Sequence, residues 1–126
     1  MTCIPRSFLG LGCWLAATAL AADPADYLQF TRADLAQGRT LWLENCEGCH
    51  GYGIGGAPVP MRPRDWEARL KQPRDTLYAH AINGFFGPDD SMMPARGGSD
   101  ELTDEQVRAA VDYMAELAGF YLKQRR

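Results

Sequence analysis

Two cysteines and a histidine stand at one spacing, Cys46-Glu47-Gly48-Cys49-His50. Thiols three positions apart can add to the two vinyl groups on one edge of a porphyrin. A histidine directly after the second thiol is then carried beneath the ring, with an imidazole nitrogen toward the iron. C-x-x-C-H is the attachment pattern of a c-type haem. Competing chemistries lack their partners. A thioredoxin-like dithiol needs a preceding strand in a βαβ setting, whereas the flanks here read as helical and glycine-rich. A zinc site needs a second ligand pair. The remaining histidine is His80, and no cysteine follows residue 49. A disulfide between Cys46 and Cys49 would leave His50 without a role.

A haem iron held by one histidine needs a sixth partner. A thioether holds iron well and raises its reduction potential relative to harder ligands. Met93 is the preferred candidate, because Pro94 biases it toward extended backbone and stiffens the segment that must hold the sulfur. Met92 is adjacent and register alone does not separate the two; His80 would give a two-histidine centre. Met61 lies too near the haem motif, and Met114 falls on an apolar helix face, where methionine usually fills core. The cofactor-binding set is therefore Cys46, Cys49, His50 and Met93, with His50 and Met93 on the iron. Two filled axial positions suit electron transfer. No second catalytic constellation accompanies them, so an enzyme is not expected.

The elements that position these residues read as helices. Thr31-Arg32-Ala33-Asp34 has the form of a capping box. Leu35, Gly38, Leu41 and Trp42 then share one face of a helix running into the Cys-His motif and stopping at Gly51. Gly38 costs about 1 kcal/mol of helix stability relative to Ala, which makes sense if another helix crosses there. Glu44 and Glu47 read as a solvated face. Residues 51–60, GYGIGGAPVP, form a loop without the G-K-S/T ending of a phosphate loop. Asp65 is placed to cap a short helix through Trp66 and Leu70. Pro73 opens another, carrying Leu77, Ala81 and Ile82 and ending at Gly84. Residues 85–100 read as a loop holding Met92, Met93 and Pro94. Thr103 with Gln106 is a second capping box, followed by Val107, Ala110, Val111, Met114 and Leu117 at helical spacing, with cations at Lys123 to Arg126. No strand and no repeat is evident. The fold class is all-α, a small helical bundle wrapped round one covalent haem.

The first residues read as an address. Arg6, the apolar stretch Phe8 to Leu20 and the small-x-small Ala19-Leu20-Ala21 make 1–21 a cleaved signal peptide, with 22–30 an irregular lead-in. The apolar stretch is short for a membrane span, which needs about 20 residues, so no stable membrane insertion is expected. Cys3 and Cys13 leave with the signal, and the two remaining thiols are those the haem consumes, as suits an oxidising compartment. The formal net charge of −3 gives no basic face for nucleic acid.

From Asp34 to Leu117 the chain resembles class I c-type cytochromes, nearest the small bacterial cytochrome c-five group. The resemblance is carried by Gly38 and Trp42, Cys46-x-x-Cys49-His50, Gly55-Gly56-Ala57-Pro58, Trp66-x-x-Arg69, Leu77 to Gly84, Met93-Pro94-x-Arg96-Gly97 and Leu102-Thr103-Asp104-Glu105. It implies that 31–126 is a cytochrome c domain whose first and last helices cross where Gly38 meets Tyr113 and Trp42. It also implies that Pro58 supports His50, and that Trp66 and Arg69 lie near a haem propionate. The sequence departs from that group in lacking a cysteine pair after the methionine loop and in a longer insertion, Phe85 to Ser91. The expectation is a periplasmic one-electron carrier with a single haem c, meeting transient redox partner proteins. The alternatives are a haem-bearing subunit of a larger respiratory or dehydrogenase complex, with Phe85 and Phe86 as exposed apolar contacts, or a gas or redox sensor with a labile methionine.

Overall fold

The last capping box forms as the sequence predicts. Thr103 Oγ1 accepts the Gln106 amide at 3.2 Å, and the Thr103 amide donates to Gln106 Oε1 at 2.9 Å. Helix α5 (Asp104–Gln124) follows, burying Val107, Ala110, Val111, Met114 and Leu117 together with Tyr113, Ala115 and Ala118. The computed structural model describes residues 26–125, so the expected signal peptide, the first part of the lead-in (22–25) and Arg126 lie outside the described residues.

Helix α1 (Ala33–Asn45) packs along α5. The contact centres on Gly38, where a Cβ would overlap the Ala109 carbonyl oxygen and lie 3.1 Å from Tyr113 Cβ. Trp42 and Tyr113 fill the space beside that contact, both fully buried, with ring centroids 5.6 Å apart. Tyr27 meets Trp42 edge-on at 4.9 Å, and Tyr113 donates to the Leu28 carbonyl at 2.9 Å. The lead-in residues thereby become a strap over the crossing.

The start of α1 differs from expectation. Its N-cap is Arg32, with no side-chain cap, because the Arg32 guanidinium takes both oxygens of Asp34, at 3.2 and 2.5 Å. The carboxylate needed for the capping box is spent on an exposed pair of little energetic weight. Helix α1 also breaks one turn early. Cys46 leaves helical geometry (φ −122°, ψ −29°), and a separate turn, α2 (Glu47–His50), carries the motif.

Asp65 caps no helix. Helix α3 (Pro63–Trp66) starts on Arg62, with Pro63 at its first position, and the Asp65 carboxylate accepts the Val59 amide at 3.0 Å. Helix α4 (Arg74–Asn83) starts at Pro73 and ends at Gly84, whose φ of +84° suits glycine. It is tied to α5 by Tyr78, whose hydroxyl donates to Asp112 Oδ1 at 2.6 Å, and by Arg74 on the same carboxylate at 3.2 Å. The segment read as a loop contains a small hairpin: β1 (Phe85–Phe86) pairs antiparallel with β2 (Met92–Met93), Phe85 opposite Met93 and Phe86 opposite Met92. Two-residue strands are too short to show alternation in a sequence. Otherwise the fold is all-α, and among the described residues no helix is long and apolar enough to cross a membrane.

Two tests follow from this packing. Gly38→Leu should lower unfolding stability by about 1–3 kcal/mol, the usual cost of overpacking, in a denaturant titration; an unchanged midpoint would place the glycine outside the crossing. Burial, then the Asp112 hydrogen bond and charge, push the Tyr78 pKa from 10.0 up to about 12. The unfolded chain therefore ionises first, and stability present below pH 10 should fall as pH rises toward 12. Tyr78→Phe should lessen that alkaline loss, measured as unfolding midpoint against pH.

Candidate functional site

The break at Cys46 turns the motif back beneath α1. The Cys46 amide still closes α1 on the Trp42 carbonyl at 2.8 Å, while the Cys46 carbonyl accepts the His50 amide at 2.9 Å. Cys49 is exposed and Cys46 half-buried. Burial, with a smaller contribution from Cys49, pushes the Cys46 thiol up to about 11.

His50 is buried at 6% exposure, the one polar or charged side chain in the core of the described residues. Its Nδ1 lies 3.0 Å from the Pro58 carbonyl oxygen. A carbonyl only accepts, so Nδ1 carries the proton and Nε2 keeps its lone pair, the tautomer a metal ligand needs. Burial is the largest influence and lowers the imidazole pKa; the Pro58 hydrogen bond opposes it and the Arg69 charge adds to it. Pro58 is itself held in place, since the next amide, Val59, is the donor to Asp65. The implied support of His50 by Pro58 is thus present, and Asp65, read from the sequence as a helix cap, belongs to it.

These residues open onto a cavity of about 380 Å³, within the range of ligand sites. Cys46, Cys49 and His50 border it, as do Leu77 and Ala81 of α4 and Val107 and Val111 of α5. Trp66 also lines it, and its indole Nε1 is buried with no partner. Trp42 Nε1 is likewise unpaired, within the aromatic core and off the cavity lining. A second, polar cleft of about 290 Å³ lies between Arg62, Asp65 and Arg69 and shares Gly56, Ala57, Pro58 and Arg69 with the first. Arg69 donates to the Asp65 carbonyl. The set fits a haem. Apolar walls suit the ring, two thiols at the motif spacing suit its vinyl edge, and a neutral imidazole suits the iron. An unpaired indole N–H and two guanidiniums suit the propionates.

The three candidate sixth ligands, Met93, Met92 and His80, all border the cavity and differ in setting. Met93 is half-buried and packs against Ala81, Val107 and Val111. Met92, its neighbour on the strand, turns outward and is 55% exposed. The His80 ring is stacked on Phe85, centroids 4.1 Å apart and planes 27° apart. Met61 packs against the Trp42–Trp66 core and is absent from the cavity lining, while Met114 is buried in that core and reaches the lining.

Sequence reasoning missed one partner of the motif. Glu47, read as solvated, is half-buried and accepts the Tyr27 hydroxyl at 2.9 Å. Burial, then Glu47, raise the Tyr27 pKa above the usual phenol range. Gly51 makes room for this contact, since a Cβ there would lie 2.8 Å from the Tyr27 hydroxyl. Tyr27 sits in an aperiodic stretch, which carries no signal of such a role. Glu44 is exposed as expected.

The sequence model of the family described as cytochrome c oxidase, cbb3-type, subunit III matches residues 33–114. Cytochrome c-555 of Prosthecochloris aestuarii is 41% identical over 97 residues, covering 75% of this chain and 95% of its own length. Cytochrome c5 of Ectopseudomonas mendocina is 30% identical over 76 residues, covering 59% of this chain and 82% of its own. Among solved structures, a chain from the crystal structure of the electron transfer complex of nitrite reductase with cytochrome c superposes with a TM-score of 0.57. It is 34% identical, and the match covers 65% of this chain and 94% of that one.

Attachment through both thiols is checked by mass. The denatured protein should weigh one haem more than its polypeptide, and Cys46→Ala with Cys49→Ala should lose that increment. Extraction of the wild-type haem into acidified organic solvent would contradict covalent attachment.

Proposed function

We propose that this chain, which belongs to the class I c-type cytochromes and holds one covalent haem c, is a one-electron carrier of the periplasm with His50 and Met93 as its axial ligands. The observation that carries the reading is the split between the two methionines: Met93 packs inward against α4 and α5 where they wall the cavity, while Met92 faces solvent. When bound, the haem supplies a reversible one-electron ferrous–ferric couple.

The chain's own residues do the remaining work. Cys46 and Cys49 tether the group. The Pro58 carbonyl fixes the His50 tautomer, so that Nε2 would be available to the metal as a neutral ligand. Leu77, Ala81, Val107 and Val111 give the cavity apolar walls. Arg62, Arg69 and the Trp66 N–H offer donors to carboxylates at its polar end. A thioether from Met93 would raise the potential, and with His50 it would leave no coordination position for a substrate. The pattern of residues 1–21 and the absence of any cysteine after residue 49 support the periplasmic assignment. The likeness to a chain from a nitrite reductase–cytochrome c complex supports hand-over to a partner protein. The match to a family described as an oxidase subunit favours a second reading, a haem-bearing subunit of a respiratory complex. Native purification separates the two: a single small species supports the carrier, a larger assembly the subunit.

Met93→Ala should abolish the weak near-infrared sulfur-to-iron band of the oxidised protein, lower the potential and open the iron to carbon monoxide. Met92→Ala should leave all three in place. The reverse outcome would make Met92 the ligand, and a band that survives both substitutions would direct the search to His80.

A further inference from the structure

Among the described residues, three of the five large apolar side chains left exposed stand on one hairpin: Phe86 at 82%, Met92 at 55% and Phe85 at 37%. Their register explains the arrangement. Phe86 and Met92 are directly opposed across the ladder, so their side chains share a face, with Phe86 off the cavity lining and Met92 at its border. Phe85 and Met93 are opposed on the other face, with Met93 packed on the core and Phe85 stacked on His80. Solvent exposure of a phenylalanine and a methionine side by side is what folding alone disfavours, and contiguous exposed apolar surface marks interaction sites.

The hairpin is fixed in place. Gly87 N–H donates to the Ser91 carbonyl at 2.8 Å, and Ser91 Oγ donates to the Pro88 carbonyl at 2.7 Å. Ser91 also presses on the haem-side loop, where a Cβ on Gly56 would lie 2.8 Å from Ser91 Cβ. The tip carries charge of one sign. Asp89 and Asp90 are both exposed, and no lysine or arginine occurs between Arg74 and Arg96. Those two flanking cations are already paired, Arg74 with Asp112 at 3.2 Å and Arg96 with Asp104 at 2.5 Å. An apolar pair edged by two carboxylates is the outline of a small docking surface, its centre apolar and its rim charged.

We propose that the outer face of this hairpin, Phe86 and Met92 with Asp89 and Asp90 at its edge, is where the electron partner docks. The partner it fits is a redox protein presenting an apolar platform rimmed by lysine and arginine. The inference rests on the carrier reading and deepens it: Met92 is the residue before the proposed ligand, so a partner seated on it lies one residue along the chain from that ligand. Opposite charges steer the encounter, and the apolar contact sets its lifetime.

The holoprotein tests this on a surface that imitates such a platform, a gold electrode coated with mixed methyl- and ammonium-terminated thiols. Phe86→Ser and the pair Asp89→Asn with Asp90→Asn should each slow electron exchange about tenfold, the weight of one interface anchor. The pair Glu44→Gln with Glu67→Gln, exposed and equal in charge lost, should not. Solution potential and visible spectrum should be the same in every variant. Wild-type rates in the hairpin variants, or equal slowing in the control pair, would overturn the docking surface and leave the carrier reading standing. A wild-type dimer that Phe86→Ser dissociates would also overturn it, by assigning the patch to self-association. Absence of any reversible one-electron wave from the wild-type protein, on the electrode and with soluble mediators, would remove the carrier reading and the docking surface together.

Discussion

The approach of two backbones at Gly38 governs the rest of the molecule. With no Cβ on α1 at that point, the Ala109 carbonyl of α5 comes to within contact of the helix itself. Helix α1 delivers the haem motif from its carboxyl end, and α5 delivers Val107, Ala110, Val111 and Met114 to the cavity from its first half. The separation of the motif from that apolar wall is therefore set at the crossing. Trp42 and Tyr113 fill the wedge beside it, and Tyr27 and the Leu28 carbonyl close it from outside.

A chain of hydrogen bonds then directs the histidine. Asp65 accepts the Val59 amide, the neighbouring Pro58 carbonyl accepts the His50 Nδ1 hydrogen, and Nε2 keeps its lone pair. None of these contacts is strong alone, since a hydrogen bond contributes about 1 kcal/mol net. Their effect lies in orientation, because each fixes the next. Tyr27 and Glu47 do the same for the turn between the two cysteines.

What the sequence made legible follows from the range of each interaction. The Cys-x-x-Cys-His motif, the Thr103 and Gln106 cap and the buried stripe of α5 are local, with signals contained within a few residues. Gly38 was legible because a mid-helix glycine is costly unless another helix needs its space. The failures were contests between local partners or contacts at long separation. Asp34 had two suitors, and the Arg32 guanidinium took it from the cap. Asp65 was drawn from its own helix to the Val59 amide. Glu47 found Tyr27 twenty residues away. The β1–β2 ladder was too short for any pattern, yet it gives the two methionines different settings, Met92 55% exposed and Met93 packed against α4 and α5.

A chain built in this way is organised round one apolar cavity. Its residues hold the imidazole neutral, line the cavity with hydrocarbon and carry a thioether inward, an arrangement suited to moving one electron without binding a substrate. The most direct test is a redox titration of the native holoprotein, followed in the visible and repeated under carbon monoxide. The account predicts one reversible single-electron transition, with the same midpoint under both atmospheres because both axial positions are filled by the chain. A carbon monoxide adduct of the reduced wild-type protein that displaces the midpoint would contradict it.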